Sequence, residues 1–500
     1  MRDPAPWQKR YDRLLPIALL FGVFSQYALV GHAAGLSVPL LVMALYAVFF
    51  YAMKGRIGGL DQWRGQSRSG WLLFLPIALL SASYALFSNE LFRALNALFI
   101  PAMLLAQAAL LTRASSKPWY RAAFYADLFD ISFIRTMKQG AVPFRLIREL
   151  MVRGGRREEG RGAAGQALLG LLLAVPVLIV VVLLLAAADG VFQAWLGRIP
   201  ALFADAQLGE AVIRIGFALV VSLLVFCYLW GLLFPEQGPR MAQRRGGEPV
   251  DGRTVDMRLH AVTGCTLLGS VALVYVLFAA LQFSYLFGAA DGLLPEGTAY
   301  AAYARRGFVE LVLVALINLG LLLLGLHGLK REPGALEHAR RTLLGLIVGC
   351  TFVMLASAYI RLSLYEEAYG YTVTRLLVHG FMLFLAALLA FAFARIWREQ
   401  ISLAKAFIGL GLLSYVILNY VNLDARIASQ NIARYEQSGD IDVDYLAGLS
   451  ADAGPQLRKL LERHPELSGL EAALTRLRED ASKEKGWQSW NWSKQRMRWE

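Results

Sequence analysis

Long apolar stretches, each about as long as a bilayer is thick, dominate the pattern of this chain. A helix rising 1.5 Å per residue needs about 20 residues to cross the hydrocarbon core. Runs of that kind lie near residues 14–31, 36–53, 71–88, 91–112, 164–188, 211–235, 260–287, 307–329, 342–360, 372–394 and 402–420. They predict an all-α, polytopic transmembrane helix bundle of about eleven spans. Two segments break the pattern. Residues 118–150 mix aromatic and apolar residues with Arg and Lys, which fits helices lying in the membrane interface and interrupted near Gly140 and Pro143. Residues 421–480 return to a soluble composition. There Ile432, Tyr435, Tyr445, Leu446, Leu449, Leu457, Leu460, Leu461, Leu467, Leu470 and Leu474 fall at helical spacing, with Pro455 and Pro465 near helix starts. The last residues, WQSWNWSKQRMRWE, combine tryptophan and basic side chains in the manner of a headgroup-zone segment. The expected organisation is 1–112 (spans one to four), 113–163 (a basic, amphipathic cytoplasmic insert), 164–420 (spans five to eleven) and 421–500 (a helical C-terminal segment).

Composition agrees. Of 500 residues 57% are hydrophobic and 17% charged, against roughly 25% charged in an ordinary soluble protein. That excludes a disordered chain, a disulfide scaffold and a soluble multidomain enzyme. Cys227, Cys265 and Cys350 sit singly in apolar runs without metal-ligand spacing, so small core roles are expected, with no metal and no cofactor. The net charge of +13 collects in loops, which argues for topology and against nucleic acid. Loop 54–70 carries Lys54, Arg56, Arg64 and Arg68, loop 113–163 carries eleven basic and five acidic residues, and 236–258, 328–341 and 395–405 also hold basic clusters. The alternate loops are poor in Lys and Arg. With eleven spans the N-terminus is expected in the cytoplasm of a bacterial inner-membrane protein and the C-terminal segment outside it.

Residues that break membrane rules carry the functional reading, because an ionisable group within a span costs roughly 2.5–3.5 kcal/mol on insertion scales. Four groups stand out, all expected at the outer end of the bundle. Asn89, Arg93 and Asn96 share one face of the fourth span. Arg305, Arg306 and Glu310 open the eighth, with Asn318 further along. Arg361, Tyr365, Glu366, Glu367, Arg375 and His379 surround the turn between the ninth and tenth, and Asn422 and Asp424, with Arg426, follow the last. They are expected either to pair with one another and tie helix ends together, or to line an outward cavity whose arginines hold an anionic group.

The elements NExLFRxLN, YARRGFxELxxVxxINL, YIRLxLYExAYGYTxxRL and NxDAxIAxxNIxRY, then DxxYLxxLSxDAxP (Asp442, Tyr445, Leu446, Leu449, Ser450, Asp452, Ala453 and Pro455), resemble a bacterial multi-pass inner-membrane family. It is the domain of unknown function numbered 4173, close to the one numbered 4153. The resemblance covers roughly 70–455 without the 118–160 insert. It implies that the outer polar elements are family hallmarks, and it implies no reaction. Neither a Walker loop, an H-E-x-x-H pair nor a G-x-S-x-G elbow occurs, and the first outer loop, near 31–35, lacks the acid that lipid-linked glycosyltransferases use. The leading expectation is a non-enzymatic membrane protein that recognises an anionic ligand, a lipid headgroup or an envelope partner through the polar cluster. The alternatives are a secondary transporter or flippase using Glu310 and His379, and an enzyme acting on a lipid-linked substrate.

Overall fold

The computed structural model describes residues 11–54, 66–147, 208–234, 259–288, 308–330, 332–483 and 486–499. The span expected at 164–188 lies outside them, as do Arg305 and Arg306. The described residues are helical apart from turns and one isolated bridge between Leu259 and Leu329. In chain order the helices are α1 (Tyr11–Leu29), α2 (Ser37–Ala52), α3 (Gln66–Leu72), α4 (Phe74–Leu86), α5 (Glu90–Leu111), α6 (Ala122–Phe129), α7 (Leu208–Leu233), α8 (Ala261–Gly288) and α9 (Phe308–His327). There follow α10 (Ala335–Tyr369), α11 (Val373–Trp397), α12 (Leu403–Tyr420), α13 (Leu423–Ser438), α14 (Val443–Ala447), α15 (Gly454–Arg463), α16 (Leu470–Lys483) and α17 (Trp492–Trp499). Among the described residues eight helices are long and apolar enough to cross a membrane, and α1 and α2 are shorter apolar helices. The protein is an all-α, multi-pass integral membrane protein.

Contacts divide the chain into two compact units. The first gathers Met1–Ala85, Ala97–Arg244 and Glu484–Trp490, the second Leu86–Asn96, Arg245–Lys483 and Asn491–Glu500.

In the first unit α1 packs lengthwise on α7 around Leu14, Ala18, Phe226 and Leu229. Glycine permits this approach. A Cβ on Gly22 would lie 2.2 Å from the Ala218 carbonyl oxygen and 2.0 Å from Ser222 Oγ, the close backbone contact that small residues allow between membrane helices. Tyr46 donates to Gln107 (2.7 Å), and Gln107 donates to the Gly70 carbonyl (3.0 Å), so polar groups on α2, α3 and α5 satisfy one another. The 122–147 stretch is helical with a π turn at Asp130–Arg135 and a 3-10 turn at Gln139–Ala141, where a break near Gly140 was expected. Phe124 and Ile131 are buried, while Phe129, Phe133 and Met137 are exposed, so one apolar side is left uncovered. Residues 486–490 are held on this unit: Leu36 N–H donates to the Trp490 carbonyl (3.0 Å), and Trp487 lies 6.1 Å from the Tyr27 ring.

In the second unit α10, 35 residues long, packs against α8, α9 and α11. At 1.5 Å per residue it spans about 52 Å, so both ends outreach a hydrocarbon core of about 30 Å. Leu322, Leu344, Ile347, Met354, Leu385 and Leu389 are fully buried along it. Asn318 donates to Thr351 (2.8 Å) within that core, a structural tie rather than part of a polar cavity. Near its start Arg340 forks onto Glu337 (2.6 and 2.8 Å) and donates to the Gly325 carbonyl, fastening α9 to α10.

The C-terminal helices pack around Leu446, Leu457, Leu460, Leu470, Leu474 and Met497, in a core that also takes in Phe92, Leu423 and Ile427. Pro455 opens α15, as its fixed φ suits. Pro465 differs from expectation. It follows the residue capping α15 and ends that helix, five residues before α16 begins.

Gly22→Ala should therefore force α1 and α7 apart, lowering thermal stability in detergent by about 1–3 kcal/mol equivalent. Gly216→Ala, where a Cβ meets nothing within 4 Å, should leave the melting temperature unchanged or raised. Equal melting of the two variants would contradict the close contact.

Candidate functional site

Helix ends dictate the geometry here. The last four carbonyls of a helix lack intrahelical partners and must find donors elsewhere. The turn joining α10 to α11 is the three residues Gly370, Tyr371 and Thr372, and Gly370 adopts φ +82° within it. Left-handed φ suits glycine, and a Cβ there would lie 2.7 Å from Asn431 Oδ1. Asn431, on α13, brackets the turn: its Oδ1 accepts from Tyr371 N–H (2.8 Å) and its Nδ2 donates to the Tyr371 carbonyl (2.9 Å). Arg434, one turn on, donates to the Glu367 and Ala368 carbonyls (both 2.8 Å). Arg375 donates to the Tyr369 carbonyl (3.2 Å) and to that of Gly370, with its guanidinium 4.3 Å from the centre of the Tyr365 ring. The α10 C-terminus is thus capped by two arginines.

The neighbouring turn is built the same way. Asn422, at φ 51°, caps α13 by accepting from Ala425 N–H (3.3 Å). Asp424, only 3% exposed, accepts from Asn89 Nδ2 (3.0 Å) and Ser450 N–H (3.2 Å). Asn89 Oδ1 in turn accepts from Phe92 N–H at the start of α5. A turn further, Asn96 donates to Asn419 (2.7 Å) and accepts from the Tyr415 hydroxyl (2.6 Å). Tyr445, from the C-terminal segment, offers its hydroxyl oxygen to Val373 N–H (2.9 Å).

Beneath these caps a cleft of about 820 Å³ opens among α10, α11, α12 and α13, within the usual range for ligand pockets. Its polar wall includes Ser363, Glu366, Glu367, His379, Arg426 and Gln430. Its apolar wall includes Phe381, Leu383, Phe384, Ile417 and Leu418, of which Phe381, Leu383 and Ile417 are also exposed on the outside of their helices. Small residues make the room: Gly380 and Gly411 both line it. Glu366 and His379 are buried, with His379 Nδ1 3.2 Å from the Glu366 carboxylate.

Three of the candidate residues, Glu366, Glu367 and His379, line this cleft. Asn89, Asn96, Arg375, Tyr365, Asn422 and Asp424 sit at the same helix ends, engaged in the bonds above. Arg93 and Arg361 are half-buried on α5 and α10. Glu310 is exposed in the first turn of α9 and does not line the cleft. The expected arginine-to-carboxylate pairing is replaced at three points: Arg375 serves carbonyls, Glu366 takes His379, and Asp424 takes an amide and a backbone N–H. Asn431, Arg434, Tyr415, Asn419 and Ser363 were not singled out beforehand. Asn431 and Arg434 do fall in the NIxRY element, and their spacing of three on one helix face was the available signal. Among the described residues no three His, Cys, Asp or Glu side chains are grouped to hold a metal ion.

Asp452 marks the edge of the C-terminal segment. It is 4% exposed, and both carboxylate oxygens accept from Ser88 N–H (3.0 Å). Burial pushes its carboxyl above the ordinary value of 3.8, against hydrogen bonds from Ser493 and Ser88 that lower it. A raised carboxyl means that ionisation disfavours the fold. The cost is absent below pH 3.8, grows as pH rises towards the raised value, and is complete above it. Asp452→Asn carries no such charge. Its melting temperature in detergent relative to the native chain should therefore climb as pH is raised from about 3.5 to 7; a pH-independent difference would contradict the burial effect.

No curated protein and no solved structure matches the chain. A family described as Domain of unknown function (DUF4153) matches residues 74–460, a stretch that holds the whole lining of the cleft and the capped turns above it. The chain belongs to that family.

Proposed function

We propose that this integral membrane protein binds a lipid or lipid-like amphiphile in the cleft among α10–α13, with a phosphate-bearing headgroup towards Arg426 and Gln430. The supporting observation is the polarity of the walls. Side chains that suit a headgroup occupy the α13 and α10 end, and aromatic and aliphatic side chains occupy the α11–α12 end. Because Phe381, Leu383 and Ile417 are exposed on helices apolar enough to span, the mouth opens where acyl chains would lie. Arg426 is the guanidinium in the lining and supplies charge-assisted bonds to phosphate.

The reading extends to placement. Within the second unit the end opposite the cleft sets Lys330, Arg340, Arg341, Arg395, Arg398 and Lys405 against Glu332, Glu337 and Glu399, whereas the cleft end sets Arg361, Arg375, Arg426 and Arg434 against Glu366, Glu367, Asp424, Asp440 and Asp442. Under the positive-inside rule the cleft and the C-terminal helices face the extracytoplasmic side of a bacterial inner membrane, and the N-terminus is cytoplasmic. The relation to the group numbered 4173 belongs to the same proposal, supported by the YEEAYGYT and NLDARIASQNIARY elements.

A phosphatidylglycerol bearing a photoreactive group in its acyl chain, mixed into vesicles holding the full chain, should crosslink to α11 and α12 peptides. Gly411→Leu, which fills the cleft where a Cβ meets only the Phe384 ring edge at 4.0 Å, should lower that crosslinking about tenfold, as a 1–3 kcal/mol overpacking cost implies. Arg426→Ala should lower it several-fold with phosphatidylglycerol. Crosslinks spread evenly over the spans and unaltered in both variants would overturn the proposal.

A further inference from the structure

The cleft wall also contains a chain of hydrogen bonds that lipid binding alone does not require. Ser363 and Glu366 lie at i and i+3 on α10, and His379 faces them from the second turn of α11. Glu366 stands 3.2 Å from His379 Nδ1, and His379 Nε2 stands 3.3 Å from Ser363 Oγ. All three residues line the 820 Å³ cleft. We propose that Ser363, His379 and Glu366 act as nucleophile, base and orienting carboxylate in acyl transfer from a carboxylic-ester lipid. This inference rests on the reading of the cleft as a lipid site.

The hydrogen-bond roles follow from the inventory of donors. A carboxylate can only accept, so Nδ1 carries the hydrogen shared with Glu366, and in a neutral ring Nε2 is then the acceptor. That lone pair is the one beside Ser363. The ring is steadied by Tyr359, packed edge-on with centroids 4.3 Å apart. A serine inside a helix commonly bonds back to the carbonyl four residues earlier, and Ser363 Oγ does lie 3.1 Å from the Tyr359 carbonyl. Such a serine has no need of a second acceptor at similar distance backed by a buried carboxylate. Here the hydroxyl hydrogen rotates between two acceptors of nearly equal reach. The Tyr359 carbonyl also lies 3.4 Å from Nε2, placed to accept the hydrogen of an imidazolium once one forms.

The step balances without a redox partner. Ser363 Oγ adds to the ester carbonyl carbon as its proton passes to His379 Nε2. The carbon–oxygen bond to the lipid alcohol then breaks, and the departing oxygen takes that proton. Water, or the hydroxyl of a second lipid, opens the acyl-serine with His379 again taking and returning a proton. The products are an alcohol and either a carboxylic acid or a new ester. Depth suits an ester. Ser363 lies seven residues before Gly370, about 10 Å below the helix end at 1.5 Å per residue, and in an acyl lipid the ester linkages lie between headgroup and tails.

The test uses the full chain in detergent and a short-chain fluorophosphonate, which phosphonylates serines activated by a base. Labelling should map to Ser363, vanish in Ser363→Ala, and slow at least about 100-fold in His379→Gln. Glu366→Gln should slow it with the melting temperature kept within a few degrees, an effect that a purely structural pair would not produce. Native protein that labels no faster than heat-denatured protein, or labelling that persists in Ser363→Ala, overturns the proposal. The lipid crosslink provides the separation. Crosslinking intact with no fluorophosphonate reaction removes the chemistry and leaves the lipid site. Fluorophosphonate reaction at Ser363 with no lipid crosslink keeps the nucleophile and removes the lipid as its substrate, and with it this proposal.

Discussion

Satisfying helix ends in apolar surroundings is the constraint on which the second unit depends. Where α10 gives way to α11, and α12 to α13, carbonyls and N–H groups leave their helical partners beside lipid-facing spans, and an unpaired backbone group there costs several kcal/mol. The chain answers with side chains brought from far along the sequence. Arg434 and Arg375 cover the end of α10, Asn431 brackets the turn, and Asp424 joins Asn89 to Ser450. Each bond crosses between elements, so the caps also tie α10, α11 and α13 to one another. The small hydrophobic core of the C-terminal helices closes over this network, with Tyr445 reaching back to Val373.

Most of the helices were legible from apolar run length, because length against bilayer thickness is a one-dimensional property. The same holds for the soluble character of 421–480. Where polar side chains fall near the ends of apolar runs was legible too, since an ionisable or amide side chain there conflicts with its surroundings. What each one touches was not. Arg375 carries a charge that suits a carboxylate, yet its nearest acceptors in space are carbonyls of the preceding turn, fixed by the φ of Gly370. Asn318 looked like part of an outer cluster because spacing alone cannot say how deep a residue lies; its partner Thr351 is 33 positions away on the antiparallel helix. Glu310 fits an i, i+4 pattern with Arg306, but it is exposed and is not part of the cleft lining.

The cleft itself escapes any reading of pattern because it is made of missing volume. Gly380 and Gly411 are ordinary small residues in a membrane helix, where they usually allow close packing. At Gly22 that is their effect. At Gly411 a Cβ would meet only the far edge of Phe384, so the same residue type marks space instead of contact. The capped turns above hold α11 and α12 in place, and the gap between them is therefore a standing feature of the fold.

Within that gap the balance of charge limits what can bind. Had Arg93, Arg361 and Arg375 all faced one cavity, any anion would have been attracted. The lining instead offers Arg426 as its guanidinium and two carboxylates, Glu366 and Glu367, with His379 beside Glu366. A bare multivalent anion on Arg426 would also meet repulsion from both acids. A headgroup with a single phosphate and neighbouring hydroxyl or amino groups can place its anion on Arg426 and turn its donors towards the carboxylates. Such a molecule also brings tails for the Phe381–Phe384 wall. The proposed amphiphile thus meets the lining on two independent counts, charge and apolar surface.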